Sequence, residues 1–109
     1  MTRGTHLWIV QRVTAAVLAV AVVVHLVTIM VAVRGGLTAA EIIARTSGSE
    51  AWFAFYAVFA ICAGLHGAIG LRNIGMEWLG WRGADAIWLG AGAATACFGI
   101  IAAWGLYSA

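Results

Sequence analysis

Two histidines stand where almost nothing else in the chain can ionise. His25 lies inside an uncharged run from Val13 to Val33, and His66 inside a second from Ala51 to Leu71. An imidazole can carry a proton or, when neutral, ligate a metal ion through either ring nitrogen. Inside a hydrocarbon layer such a group is costly, which makes each histidine a functional-site candidate. A histidine hydrogen-bonded across a helix contact would leave the same trace, so the residues alone admit both readings. The two cysteines, Cys62 and Cys97, show no CxxC spacing and read as small buried hydrophobes.

The elements that must position these histidines follow from composition. The 109 residues are 64% hydrophobic and 9% charged, against roughly 25% charged in a soluble domain. A chain this short cannot hide so much apolar surface from water. That excludes a soluble globular domain and a disordered tail, and a net charge of +2 excludes a nucleic-acid binder. The expected architecture is an all-α membrane protein with three transmembrane helices, at about 8–33, 51–72 and 86–107, forming one domain over 1–109. The runs are continuous and about twice as long as a barrel strand needs, which favours helices. The lead-in and first run together exceed the h-region of a signal peptide.

Short polar segments join the spans: Arg34 to Glu50 between the first two, Arg72 to Asp85 between the last two. Arg3, Arg12, Arg72 and Arg82 fall on one side, Arg34 and Arg45 on the other. The excess of arginine predicts a cytoplasmic N-terminus and an outward C-terminus. Tryptophans mark the same boundaries, with Trp8, Trp78, Trp81 and Trp88 at the inner interface and Trp52 and Trp104 at the outer.

Depth then limits the chemistry. At 1.5 Å per residue, His25 sits roughly 20 Å from the inner boundary and His66 about 9 Å, an offset on the order of 10 Å. Two nitrogens ligating one metal at ~2 Å each are about 4 Å apart or less. The two histidines therefore cannot share an ion. If both are ligands, they serve two centres, and each centre takes its other ligand from a second chain. Histidine is a common haem ligand, and a helix bundle can enclose a flat apolar ring. Gly70 stands one turn beyond His66 on the same face, where a small residue lets a porphyrin or a helix approach the backbone.

The run Trp8-Ile9-Val10-Gln11-Arg12-Val13-Thr14-Ala15, leading into the helix that bears His25, and the segment His66-Gly67-Ala68-Ile69-Gly70 complete the pattern. Together they resemble the small membrane-anchor (cytochrome b) subunit of succinate dehydrogenases and fumarate reductases, over nearly the whole chain. The resemblance implies a haem b-binding anchor that passes electrons between an iron–sulfur subunit and membrane quinone. A flavoprotein subunit would interconvert succinate and fumarate, and a second anchor subunit would share the haems. It implies His66 as axial ligand of the inner haem and His25 as axial ligand of the outer one, hence two haems. Arg12 and Arg72 would meet haem propionates or quinone, Gly70 would pack on haem, and Trp78 is a candidate quinone contact. At Trp78 the sequence departs from the family, which usually places an Asp-Tyr pair where this chain has Glu77-Trp78. An indole donates a hydrogen bond but accepts none. The competing readings are a haem-free structural anchor of another redox complex and a small transporter relaying protons through His25 and His66. The absence of acidic residues within the spans weighs against the transporter.

Overall fold

Three serine or threonine hydroxyls start the first three helices by accepting a backbone N–H three residues on. Thr2 accepts from Thr5, Thr38 from Glu41 and Ser49 from Trp52, at 3.2–3.3 Å. In the computed structural model, which describes residues 2–80, 83 and 85–109, the helices are α1 (Arg3–Arg34), α2 (Ala39–Thr46), α3 (Glu50–Leu79) and α4 (Asp85–Ser108). No strand occurs among the described residues. The three long helices hold 32, 30 and 24 residues and are apolar enough to cross a membrane. Even the shortest would extend about 36 Å, more than the ~30 Å hydrocarbon core.

Two elements differ from the sequence expectation. The segment after Arg34, expected only as a polar connection, contains α2, whose Ile42 and Arg45 are half-buried and whose Thr46 is buried. Its signal was the capping pair Thr38 and Glu41 ahead of two isoleucines. The segment after Arg72 was also expected as a loop, but α3 continues through Glu77 and Trp78 to Leu79. A single arginine does not break a helix, and no proline intervenes. The helix stops at Gly80, whose φ of 63° is the left-handed conformation that glycine adopts without strain.

α3 is the central element, with its most extensive contact against α4 and a second against α1. The α3–α4 contact is a seam of small residues. A methyl group placed on Gly64 would lie 2.5 Å from the Gly92 carbonyl oxygen and 3.0 Å from the Ala96 Cβ. One placed on Gly75 would lie 2.5 Å from the Trp88 ring. Trp88, expected in an interfacial belt, is 7% exposed because Gly75 leaves room for its indole inside the bundle. Trp81 and Arg82, also expected at the inner interface, lie outside the described residues.

α1 turns a different kind of face inward. Gln11, Thr14, Leu18, Ala21, His25, Thr28 and Ala32 recur at alternating three- and four-residue spacing, and all are buried or half-buried. That spacing lays one stripe along a helix, so the polar residues of α1 share the side facing α3. The outward side is apolar, as a lipid-facing surface must be; Val20 is 66% exposed, and on α4 Phe98 is 75% exposed. The two ends of the molecule are tied separately. Arg3 pairs with Asp85 at 2.9 Å at one end, and the Gly48 N–H donates to the Tyr107 carbonyl at 2.8 Å at the other.

Candidate functional site

The contact between α1 and α3 carries both intramembrane histidines. His66 on α3 lies opposite Thr14 on α1, with its Nδ1 3.3 Å from the threonine Oγ1. The single hydroxyl proton of Thr14 goes to the Val10 carbonyl at 2.8 Å, a bond that costs a buried threonine little inside a helix. With the hydroxyl directed at a backbone carbonyl, Val10 at 2.8 Å or Gln11 at 3.2 Å, the Thr14 oxygen is left to accept, which favours Nδ1 as the donor nitrogen of His66. Nε2 then keeps its lone pair. An imidazole held through Nδ1–H with a free Nε2 is the arrangement that metal-ligating histidines use.

His25 lies eleven residues along α1 from Thr14, which is about 16 Å of helix. Opposite it on α3 stand Tyr56 and Phe59, whose ring centroids are 5.8 and 5.7 Å away with planes near perpendicular. The two histidines thus occupy opposite halves of one helix contact. The His25 Nδ1 is buried and has no hydrogen-bond partner among the described residues. An unsatisfied buried nitrogen costs about 1–3 kcal/mol. The ring also borders a cavity of ≈ 320 Å³ that runs along α4 past Thr95 and Gly99.

Towards the Arg3–Asp85 end, next to His66, a cavity of ≈ 190 Å³ is lined by Gly4, Leu7, Trp8, Gln11, Ile69, Arg72 and Asn73. Arg72 spends one guanidinium N–H on the Asn73 side chain at 3.3 Å, while its buried Nε has no partner. The Gln11 Oε1 is likewise buried and unpaired. A hydrogen-bond donor and an acceptor are thus left over beside one cavity, which suits a ligand carrying carboxylate, carbonyl or hydroxyl oxygens.

Of the residues singled out from sequence, the structure brings His66, Gly70 and Arg72 to one end of the α1–α3 contact. Gly70 faces Gln11, whose Nε2 would lie 3.6 Å from an added Cβ. Gly67, between them, faces open space. The close-packed glycine seam of α3 is therefore the one toward α4, on another face from His66. Arg12 is exposed and does not line this cavity; its guanidinium lies 5.3 Å from the centre of the ring of Trp8, which does. Trp78 is 81% exposed, six residues beyond Arg72 and about a third of a turn away around the helix. It does not border the cavity. Cys62 and Cys97 are free. Among the described residues, no three potential metal ligands converge.

Thr14 and Gln11 were not assigned roles from sequence, although both belong to the motif that carried the resemblance. Their signal was available: each lies on the same α1 stripe as His25, three or four turns away.

An all-helical chain with three spanning helices and a polar stripe facing its neighbour is a multi-pass membrane protein. The family described as "Succinate dehydrogenase/Fumarate reductase transmembrane subunit" matches residues 1–106. The chain belongs to that family, and so to the membrane part of an enzyme complex with other subunits. No curated protein and no solved structure matches it.

Proposed function

We propose that this chain is a haem b-binding anchor of a succinate:quinone oxidoreductase, holding two haems jointly with a second anchor subunit. It would pass electrons between an iron–sulfur subunit and membrane quinone, while a flavoprotein subunit performs the dicarboxylate chemistry. The observation that carries this reading is the Thr14–His66 pair, because an imidazole held at Nδ1 presents its Nε2 for ligation. The orphaned Nδ1 of His25 adds support for a second centre. Four arginines against two further support an inward N-terminus in the cytoplasmic membrane, which makes the Arg3–Asp85 end the inner one.

Haem would supply one-electron redox chemistry, and this chain's residues would hold and tune it. Thr14 holds the His66 ring by accepting Nδ1–H, which sets the electron density available at Nε2. Arg72 directs a cation into the inner cavity, where a propionate can take it bidentately or a quinone carbonyl can accept from it. The Gln11 Oε1 can accept a hydrogen bond from a hydroxyl of a reduced quinone. Arg12, stacked on the cavity-lining Trp8, adds a second cation on the same helix. Leu7, Trp8 and Ile69 form the apolar part of the cavity wall, where a fixed dipole acts more strongly than in water.

The test is the count of b-type haem per flavin in the detergent-purified complex, from a reduced-minus-oxidised spectrum. Two haems per flavin support the reading, and none with flavin present rejects it. Thr14→Val keeps the shape of the side chain but removes the acceptor. The expected result is a complex that retains its inner haem with a raised midpoint potential and a haem affinity reduced about tenfold, as for other orienting groups behind a metal ligand. An unshifted potential would show that Thr14 serves packing alone.

A further inference from the structure

At the α2 end of the molecule, residues able to bind more than apolar groups share one cavity. It measures ≈ 190 Å³, and its walls include His25, Thr28, Ile42, Arg45, Tyr56 and Leu106. His25, Tyr56 and Leu106 are also walls of the ≈ 320 Å³ cavity along α4, so the two spaces meet at the imidazole. Arg45 reaches this place from α2, the short helix between the first two spans. A series of ring contacts leads from it to His25. The guanidinium lies 6.0 Å from the centre of the Trp52 ring. Trp52 stacks on Tyr56 at 5.8 Å with 25° between planes, and Tyr56 meets the His25 ring edge-on at 5.8 Å.

A guanidinium has five N–H donors. Among the described residues, Arg45 makes no ion pair and no hydrogen bond, since the one salt bridge there joins Arg3 to Asp85. Glu41, one turn earlier on α2, does not neutralise it. That carboxylate rests against Gly35, where an added Cβ would lie 3.0 Å from Oε2. The cavity beside His25 therefore carries a half-buried cation without a counter-anion.

We propose that Arg45 is the anion-binding residue of the His25 centre, taking a propionate carboxylate of the outer haem, with α2 as the cover that delivers it. The inference rests on the reading of His25 as a haem ligand. A lipid phosphate at the same depth presents similar chemistry, and the two sources differ in one measurable way. A propionate holds the cation against the haem and so sets its potential, whereas a cation already neutralised by a lipid phosphate leaves that potential little changed.

The experiment is a redox titration of the whole detergent-purified complex, read by haem absorbance, for wild type, Arg45→Gln and His25→Ala. Arg45→Gln is expected to retain both haems. Its outer haem becomes harder to reduce, with the reduced-to-oxidised ratio at fixed ambient potential falling about tenfold, or about 59 mV for one electron. The inner haem stays unchanged. Should Arg45→Gln fail to assemble, Arg45→Lys keeps the charge and loses the planar fork, and a fall of about threefold is expected. An unchanged outer-haem ratio in the assembled variant overturns the proposal and leaves Arg45 to a lipid phosphate. A His25→Ala complex that keeps both haems, or a wild type with one, overturns the ligand reading instead, and this inference with it.

Discussion

His66→Ala is expected to remove the inner haem and leave the outer one, and His25→Ala to do the reverse. Each variant complex is expected to contain one haem per flavin where wild type contains two. The separation of effects follows from geometry. Thr14, against which His66 lies, and His25 are about 16 Å apart along α1, so neither imidazole can substitute for the other. The losses should also differ in character. His66 is held by Thr14, so its replacement leaves a buried threonine oxygen without its donor. His25 has no hydrogen-bond partner at Nδ1, and its replacement frees only ring contacts with Tyr56 and Phe59. Haem counting by spectrum, together with the separate potentials of the remaining haem, decides the matter. Unchanged haem content in both variants would remove the ligand assignment entirely.

Gly64→Leu should prevent α3 and α4 from packing and so prevent assembly of the complex. Even a Cβ at this position lies 2.5 Å from the Gly92 carbonyl oxygen, which belongs to a helix backbone and cannot rotate away. The helices would have to separate along a seam that also includes Ala68 and Ala96. Overpacking in a well-filled contact costs about 1–3 kcal/mol, and a full isobutyl group on a backbone contact belongs at or above the upper end. Between helices in lipid, close packing is itself the main attraction, so little else offsets the loss. The measurement is the yield and thermal stability of the detergent-purified complex. Gly105→Ala, on a face of α4 with open space around it, is the matched control and should leave both unchanged. Equal stability of the two variants would mean that the α3–α4 seam does not hold the bundle together.

The spans were readable because lipid imposes a simple rule: a helix must stay apolar for its full crossing. Their ends were less readable. Arg72 looked like the end of a helix, yet the end came at Gly80, because stopping requires a residue that tolerates positive φ rather than one that is charged. α2 is eight residues long, too short for a periodic pattern to stand out, although its cap was present in Thr38. Trp88 was misread for a related reason. Tryptophan composition marks an interface, but the glycine that admits its ring into the bundle is thirteen residues away on another helix.

Much the same division applies to the site. His25 and His66 were found from sequence, since a titratable group in an apolar run is visible without any fold. That they cannot share one metal ion also followed from one dimension, the distance along the membrane normal. What surrounds each was decided only by how α1 docks on α3. Thr14 meets His66 across 52 positions of chain, and Arg45 comes to the His25 cavity on a helix that composition did not suggest. The sequence by itself determined the membrane class, the three spans, the two histidines and the family. The tertiary structure alone decided that Thr14 lies against His66, that Arg45 shares a cavity with His25 and which glycines sit in close contacts. The physical reason is range: hydropathy and helical period act within a segment, whereas a hydrogen bond or a Cβ clash depends on the register between two segments.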